Sequence, residues 1–376
     1  MDIGFQKTVV FLFFIFIGIL LKSKFKSKEE ISGIKKIILN LALPATIFIA
    51  LLGIKVEPHL LVLPLLALGL NLLLFLAMPF ILPVMGIGMG TPEFRTAKLL
   101  VPSLAPGLSS FPFILEFLGE DYLAKAAMSD LGNKVFVLFF LYLVAMNWHY
   151  GIQSSGKKNE GKKLVPMIKA MVFEPVNIFI GVALVLLAFG MSMDSLPFFL
   201  SETLEKLSLI MTPLVLLFIG LAVKIKRKQF FQIFSLLCTR AGLVLFICGA
   251  FVLISGIQAQ NEILLILAFG LSACSFWPYA HIAAVDSMEM GVEPQKKTFS
   301  SSFGVAVLAL SFPLSTMLIL AVLNSGSFFE HSYTILLVAL LLLAIGLSIP
   351  LCIGLNKRWS IQRIVGYKLK SATENA

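Results

Sequence analysis

The chain reads as an all-α polytopic membrane protein, and three observations predict it. Apolar residues make up 59% of its 376 residues and charged residues only 13%, with a mean hydropathy of +0.97, so a water-solvated surface could hardly be built from it. Apolar stretches of about 20 residues, the length that crosses a bilayer, recur between short polar or basic breaks. The basic residues crowd into alternate breaks, as they do in loops held on one side of a membrane.

Eleven spans are predicted, at 5–21, 34–52, 60–82, 97–118, 126–146, 172–191, 204–223, 231–257, 263–284, 302–323 and 335–355. The first resembles a secretory leader, but it has no small-residue cleavage site, and the basic run Lys22, Lys24, Lys26 and Lys28 follows it instead of preceding it. It is expected to stay as a helix. Six lysines, through Lys36, separate spans one and two; Arg95 and Lys98 stand before span four, and Lys157 to Lys169 before span six. With the clusters after spans seven, nine and eleven, 24 of the 30 Lys and Arg lie on one side. Lys7, Lys55, Lys125, Lys134 and Lys206 lie on the other. The bias predicts an outside amino terminus and a cytoplasmic carboxyl terminus in a cell's inner membrane, and it makes the net charge of +10 a topology signal, with no nucleic acid as partner. Cys238, Cys248, Cys274 and Cys352 sit inside apolar spans without metal-type spacing, which argues against a disulfide framework or a zinc site.

The longest polar break separates two sets of five spans. The predicted organisation is a first five-helix repeat at 1–146, a cytoplasmic linker at 147–171, a second repeat at 172–325, and an extra helix with a basic tail at 326–376. Ordered echoes link the halves: IFIG at Ile15 and at Ile178, Pro44 and Pro213, Asn71 and Arg240, Pro112 and Pro278, all at offsets between 163 and 169. An odd number of spans per repeat inverts the second, the arrangement common in secondary transporters.

Two spans cannot be straight helices. Span four (AKLLVPSLAPGLSSFPFILEFL) holds Pro102, Pro106 and Pro112 with Gly107, Ser109 and Ser110; span nine holds Gly270, Ser272, Ser275 and Trp277 before Pro278, and His281 after it. The backbone groups that proline frees at membrane depth must be satisfied by protein, water or substrate. Paired interruptions in corresponding spans point to a substrate site near the midplane, where half-helix amino termini suit a carboxylate.

On these residues the chain resembles the auxin efflux carrier family of permeases, related to the bile-acid/sodium symporters. The motifs that carry the resemblance are NLALPATIF in span two, GLSSFPFILEFLGED in and after span four, SDLGN at Ser129 to Asn133, PLVLLFIGLAV from Pro213, and SFWPYAHIAA around Pro278. The resemblance implies a ten-helix inverted repeat, with a panel domain and a transport domain in which spans four and nine cross, and carboxylate-type substrates. Three features depart from the family pattern: Ala105 stands where Asn is frequent, Ser275, Phe276, Trp277 and Tyr279 replace the usual small-residue stretch around the proline, and the eleventh span is additional.

Polar residues inside the spans each carry two readings. Arg240, roughly 15 Å deep by helical rise, serves either as counter-charge to an anion or in a structural pair with an acid. Asp130 and Lys134 are spaced to pair along a helix, whereas Asn133 matches the family pattern and is a candidate ligand. Asn71 and Asn40 bond helix to helix or touch substrate. Ser109, Ser110 and Ser275 either donate to a carboxylate or satisfy freed carbonyls. The candidate substrate-binding set is therefore Gly107, Ser109, Ser110, Pro112, Asn133, Arg240, Ser275 and Pro278, with His281, Asp286 and Asp130 as coupling candidates. Glu174 before Pro175 reads as a helix start.

The expectation is a secondary carrier of a small organic anion, using no cofactor beyond a coupling H+ or Na+, with the bilayer as its surroundings and a homodimer allowed. A sensor or scaffold on a transporter fold is the alternative. An enzyme is not expected, since the four histidines are scattered and neither HExxH nor GxSxG occurs.

Overall fold

The computed structural model describes residues 3–25, 27–53, 60, 62–153, 173, 175–222, 230–289, 291–348 and 350. Most of the expected linker, Glu174, the basic run after span seven, Cys352 and the basic tail lie outside the described residues. Among the described residues every regular element is helical, and no strand occurs.

Helix α1 (Ile3–Leu21) forms the first span. The second begins with α2 (Lys28–Ile37), passes through a π turn (Ile38–Ala42) and continues as α3 (Leu43–Gly53). Ser27 starts it with a capping box: its hydroxyl accepts from Glu30 N at 3.1 Å while the Glu30 carboxylate accepts from Ser27 N at 3.1 Å. This cap lets the helix begin several residues before the apolar stretch, which draws Lys35 and Lys36 into it.

Helix α4 (Val62–Val84) is the third span. The fourth is divided into α5 (Pro92–Leu100), α6 (Pro106–Ser109) and α7 (Phe111–Leu118). The fifth comprises α8 (Glu120–Val135), a second π turn (Phe136–Phe140) and α9 (Leu141–Gln153). Helices α10 (Pro175–Ala188), α11 (Phe198–Leu209), α12 (Met211–Ala222) and α13 (Phe230–Ser255) follow. The ninth span is divided into α14 (Gln260–Gly270) and α15 (Phe276–Met288), and α16 (Ser301–Leu323) and α17 (Ser332–Ser348) complete the described chain.

By length and composition, six of the continuous helical stretches are able to cross a membrane, and four shorter apolar helices accompany them. The lipid-facing surface is written on α4, where Leu65, Leu76 and Phe80 are 66%, 63% and 80% exposed while Asn71, Leu74 and Met78 on the opposite side are fully buried. A water-soluble protein does not leave such a continuous apolar face uncovered. The protein is an all-α, multi-pass membrane protein.

Helix α1 packs along α12, and α3 along α10. The first contact is made by glycine: a Cβ on Gly220 would stand 2.8 Å from Gly18 Cα, and one on Gly18 would stand 3.0 Å from Gly220 Cα. Small residues let membrane helices gain dispersion contacts where no hydrophobic force joins them. Gly132 does the same between α8 and α4, where a Cβ would overlap the Pro64 carbonyl.

Candidate functional site

Spans four and nine are both interrupted, and the interruptions touch. The chain leaves helical geometry at 101–105 and again at 271–275. These openings lie ahead of the expected positions. Pro112 stands in the first turn of α7 and is buried; Pro278 stands in the first turn of α15, where its missing N–H costs nothing. The prolines start the second halves of the broken spans, and the non-helical backbone precedes them.

The two openings are joined by backbone and hydroxyl groups. Ala105 N donates to Ala273 O at 2.8 Å, and Ser275 N donates to Ser103 Oγ at 2.9 Å. The two donors, Ala105 and Ser275, stand 170 residues apart, as do the two acceptor residues, Ser103 and Ala273, although one N–H meets a backbone carbonyl and the other a serine hydroxyl. Ser109 Oγ donates to Ala105 O at 2.8 Å and accepts from Ala273 N at 2.9 Å. Ser272 Oγ, 3.0 Å from Ser110 Oγ, donates to Phe269 O, and Cys274 N donates to Ser311 Oγ at 3.3 Å. Ser109 and Ser110 therefore satisfy freed backbone and one another's neighbours, as buried polar groups in hydrocarbon must.

Arg240 is spent on the same task. Its Nε donates to Val101 O at 2.6 Å and one terminal nitrogen to Ser103 O at 3.0 Å, with the side chain buried. It is absent from the cavity lining. Neither of its expected roles, anion counter-charge or pair with an acid, matches this geometry: the guanidinium caps the opened end of α5. Asn71, its expected counterpart, donates to Asn133 Oδ1 at 3.0 Å, whereas Asn40 is exposed on the π turn. Asn133 also exchanges both amide groups with Leu104, and donates to Asp130 Oδ1 at 2.8 Å.

Beside this crossing lies a cavity of about 290 Å³. Of the expected site residues, Gly107, Asn133, Ser275 and Asp130 line it. Pro112, Pro278, Ser109, Ser110, Arg240, His281 and Asp286 do not. His281 Nε2 is 2.9 Å from Val137 O, a contact between α15 and the π turn of the fifth span, and Asp286 accepts from Lys297 Nζ at 2.6 Å. Apolar walls come from Leu39, Leu43, Leu104, Leu108, Val176 and Phe276.

The cavity holds two amines and one carboxylate. Lys134 Nζ donates to Asn177 Oδ1 at 2.8 Å and stands 3.7 Å from Asp130 Oδ2, while Lys35 projects its ammonium 3.5 Å from the centre of the Phe276 ring. Lys35 is the lining residue that sequence reasoning missed, having counted it among loop lysines. The signal was present in Ser27-x-x-Glu30, which places a helix start upstream of it. Three polar ties join the fifth span to the ninth: Lys125 pairs with Glu262, His281 meets Val137 O, and His149 Nδ1 lies 2.8 Å from Glu289 Oε1. Among the described residues no group of three or more His, Cys, Asp or Glu is arranged to hold a metal ion.

No protein-family model matches this chain, and no curated protein matches it.

Proposed function

We propose that this protein is a secondary carrier that moves a small organic anion, of the carboxylate class, by alternating access, and that it is a permease of the auxin efflux carrier type. The observation that carries the reading is the cavity beside the touching interruptions of spans four and nine, lined by two ammonium groups and a single carboxylate. Broken spans that meet at a cavity are the usual setting of a transported substrate, because irregular backbone is tolerated in a bilayer only where it is buried or lines such a space. The amino-terminal end of α15 faces the cavity through Ser275, Phe276 and Trp277, adding the positive end of a helix dipole to the amines.

Two further observations support an inverted repeat. The donors of the crossing contacts, Ala105 and Ser275, and their acceptor residues, Ser103 and Ala273, each stand 170 apart, and the α1–α12 and α10–α3 pairings exchange when the two halves are exchanged. The lysine bias orients the carrier with its amino terminus outside and its carboxyl terminus in the cytoplasm of an inner membrane. Of the three coupling candidates, Asp130 lines the cavity, so it is the residue through which H+ or Na+ would be linked to the anion.

The test is uptake of labelled mono- and dicarboxylates into liposomes holding the purified protein, under imposed pH or sodium gradients. Saturable uptake of an organic acid is expected. Failure of every acid to enter and to stabilise the protein, together with transport of a cation, overturns the reading.

A further inference from the structure

We propose that Lys35 recognises the charge of the anion in this cavity, and that its ammonium leaves the Phe276 ring when the anion enters. The assignment rests on the carrier reading above and adds to it the group that makes the decisive contact.

The cavity's two amines are in unlike circumstances. Lys134 is engaged by Asp130 and Asn177, so its charge is already balanced. Lys35 has no acidic partner among the described residues; its ammonium rests on the face of Phe276. A ring offers only its quadrupole, whereas a carboxylate offers a full charge and oxygen acceptors, so an arriving anion outcompetes the ring for the ammonium. After the Asp130–Lys134 pair is discounted, the lining carries one uncompensated positive charge, and Lys35 is its source.

Position makes this contact consequential. Lys35 belongs to the second span, and Phe276 is the first residue of α15 after the crossing. The cation–π contact therefore bridges two elements on either side of the cavity. The π turn at Ile38–Ala42 begins directly after α2, and Lys35, Leu39 and Leu43 all line the cavity across it. π turns within helices are frequent at functional positions. Exchanging a ring for a diffusible anion removes a direct link between the second and ninth spans at the moment of loading.

The experiment compares acetate, benzoate, succinate and the neutral benzamide on purified wild-type, Lys35→Gln and Phe276→Leu proteins. Binding is read from intrinsic tryptophan fluorescence, with Trp277→Phe as control, because Trp277 lines the cavity. Wild type is expected to bind at least one of the acids and to reject benzamide. Lys35→Gln should weaken that acid at least tenfold with an unchanged melting temperature. Phe276→Leu, which frees the ammonium, should tighten it two- to threefold, an effect no general loss of folding can produce. A Lys35→Gln protein that binds the acid as tightly as wild type overturns this assignment and leaves the carrier reading standing. A wild type that binds none of the three acids overturns both.

Discussion

The side-chain amide of Asn133 pairs with both backbone groups of Leu104: Nδ2 donates to Leu104 O at 3.0 Å, and Oδ1 accepts from Leu104 N at 3.2 Å. A side chain thus replaces the helical partners that Leu104 loses where span four opens. Asn133→Leu strands both groups in a buried site, at about 1–3 kcal/mol for each unsatisfied group. A clear fall in the melting temperature of detergent-solubilised protein is expected. Asn133→Asp, which sets a second carboxylate against Asp130 and an acceptor against Leu104 O, should fall at least as far. Unchanged melting in the Leu variant would show that water replaces the amide.

Arg240 caps the carbonyls of Val101 and Ser103, so Arg240→Met is expected to destabilise the protein by about 2–4 kcal/mol, the cost of removing two charge-assisted hydrogen bonds from a buried site. Arg240→Lys retains the charge without the fork and should recover only part of the loss. Melting curves decide the matter. A Met variant as stable as wild type but defective in anion uptake would return Arg240 to the substrate.

Gly220→Ala places a methyl group where Gly18 Cα already stands 2.8 Å away, and the neighbouring atoms are backbone, which cannot step aside. The strain should cost about 1–3 kcal/mol, typical of overpacking, and Gly181→Ala, whose Cβ meets open space, should cost almost nothing. Comparing the two by thermal melting separates close packing from helix propensity.

Glu289 is buried between His149 and the loop before α16, accepting from Thr298 N at 2.8 Å and from the Thr298 hydroxyl at 2.5 Å. Arg95 fastens the same loop by donating to Thr298 O at 2.6 Å and Lys297 O at 3.2 Å. Glu289→Ala is expected to cost about 2–4 kcal/mol, through loss of charge-assisted bonds and of a partner for Thr298 N. Hydrogen exchange should rise across 291–300 while exchange at 101–105 stays unchanged. Equal increases in both segments would deny the loop its local character.

Hydropathy made the helices legible because lipid demands apolar length and leaves little room for other signals. The interruptions of spans four and nine were legible from Pro102, Pro106, Pro112 and Pro278, yet their places were not, since a proline at a helix start and one at a break look alike without dihedral angles. Arg240 was misleading for a related cause: a buried arginine invites an acidic or anionic partner, and two backbone carbonyls exposed by a remote break are invisible to a linear reading. Lys35 was hidden by its neighbours, because the capping of α2 puts Lys35 and Lys36 alike on a helix, and only the packing around the cavity sets them apart.

The contacts Lys125–Glu262, His281–Val137 and His149–Glu289 pin the fifth and ninth spans together at one end, near the middle and at the other end. Three fastenings along a common length oppose sliding and scissoring of one span on the other. Under the proposed carrier reading the pair travels as one body, and any movement of the second and sixth spans past it has to break the Lys35–Phe276 contact and the Lys134–Asn177 hydrogen bond, while Leu39, Leu43 and Val176 offer only hydrocarbon.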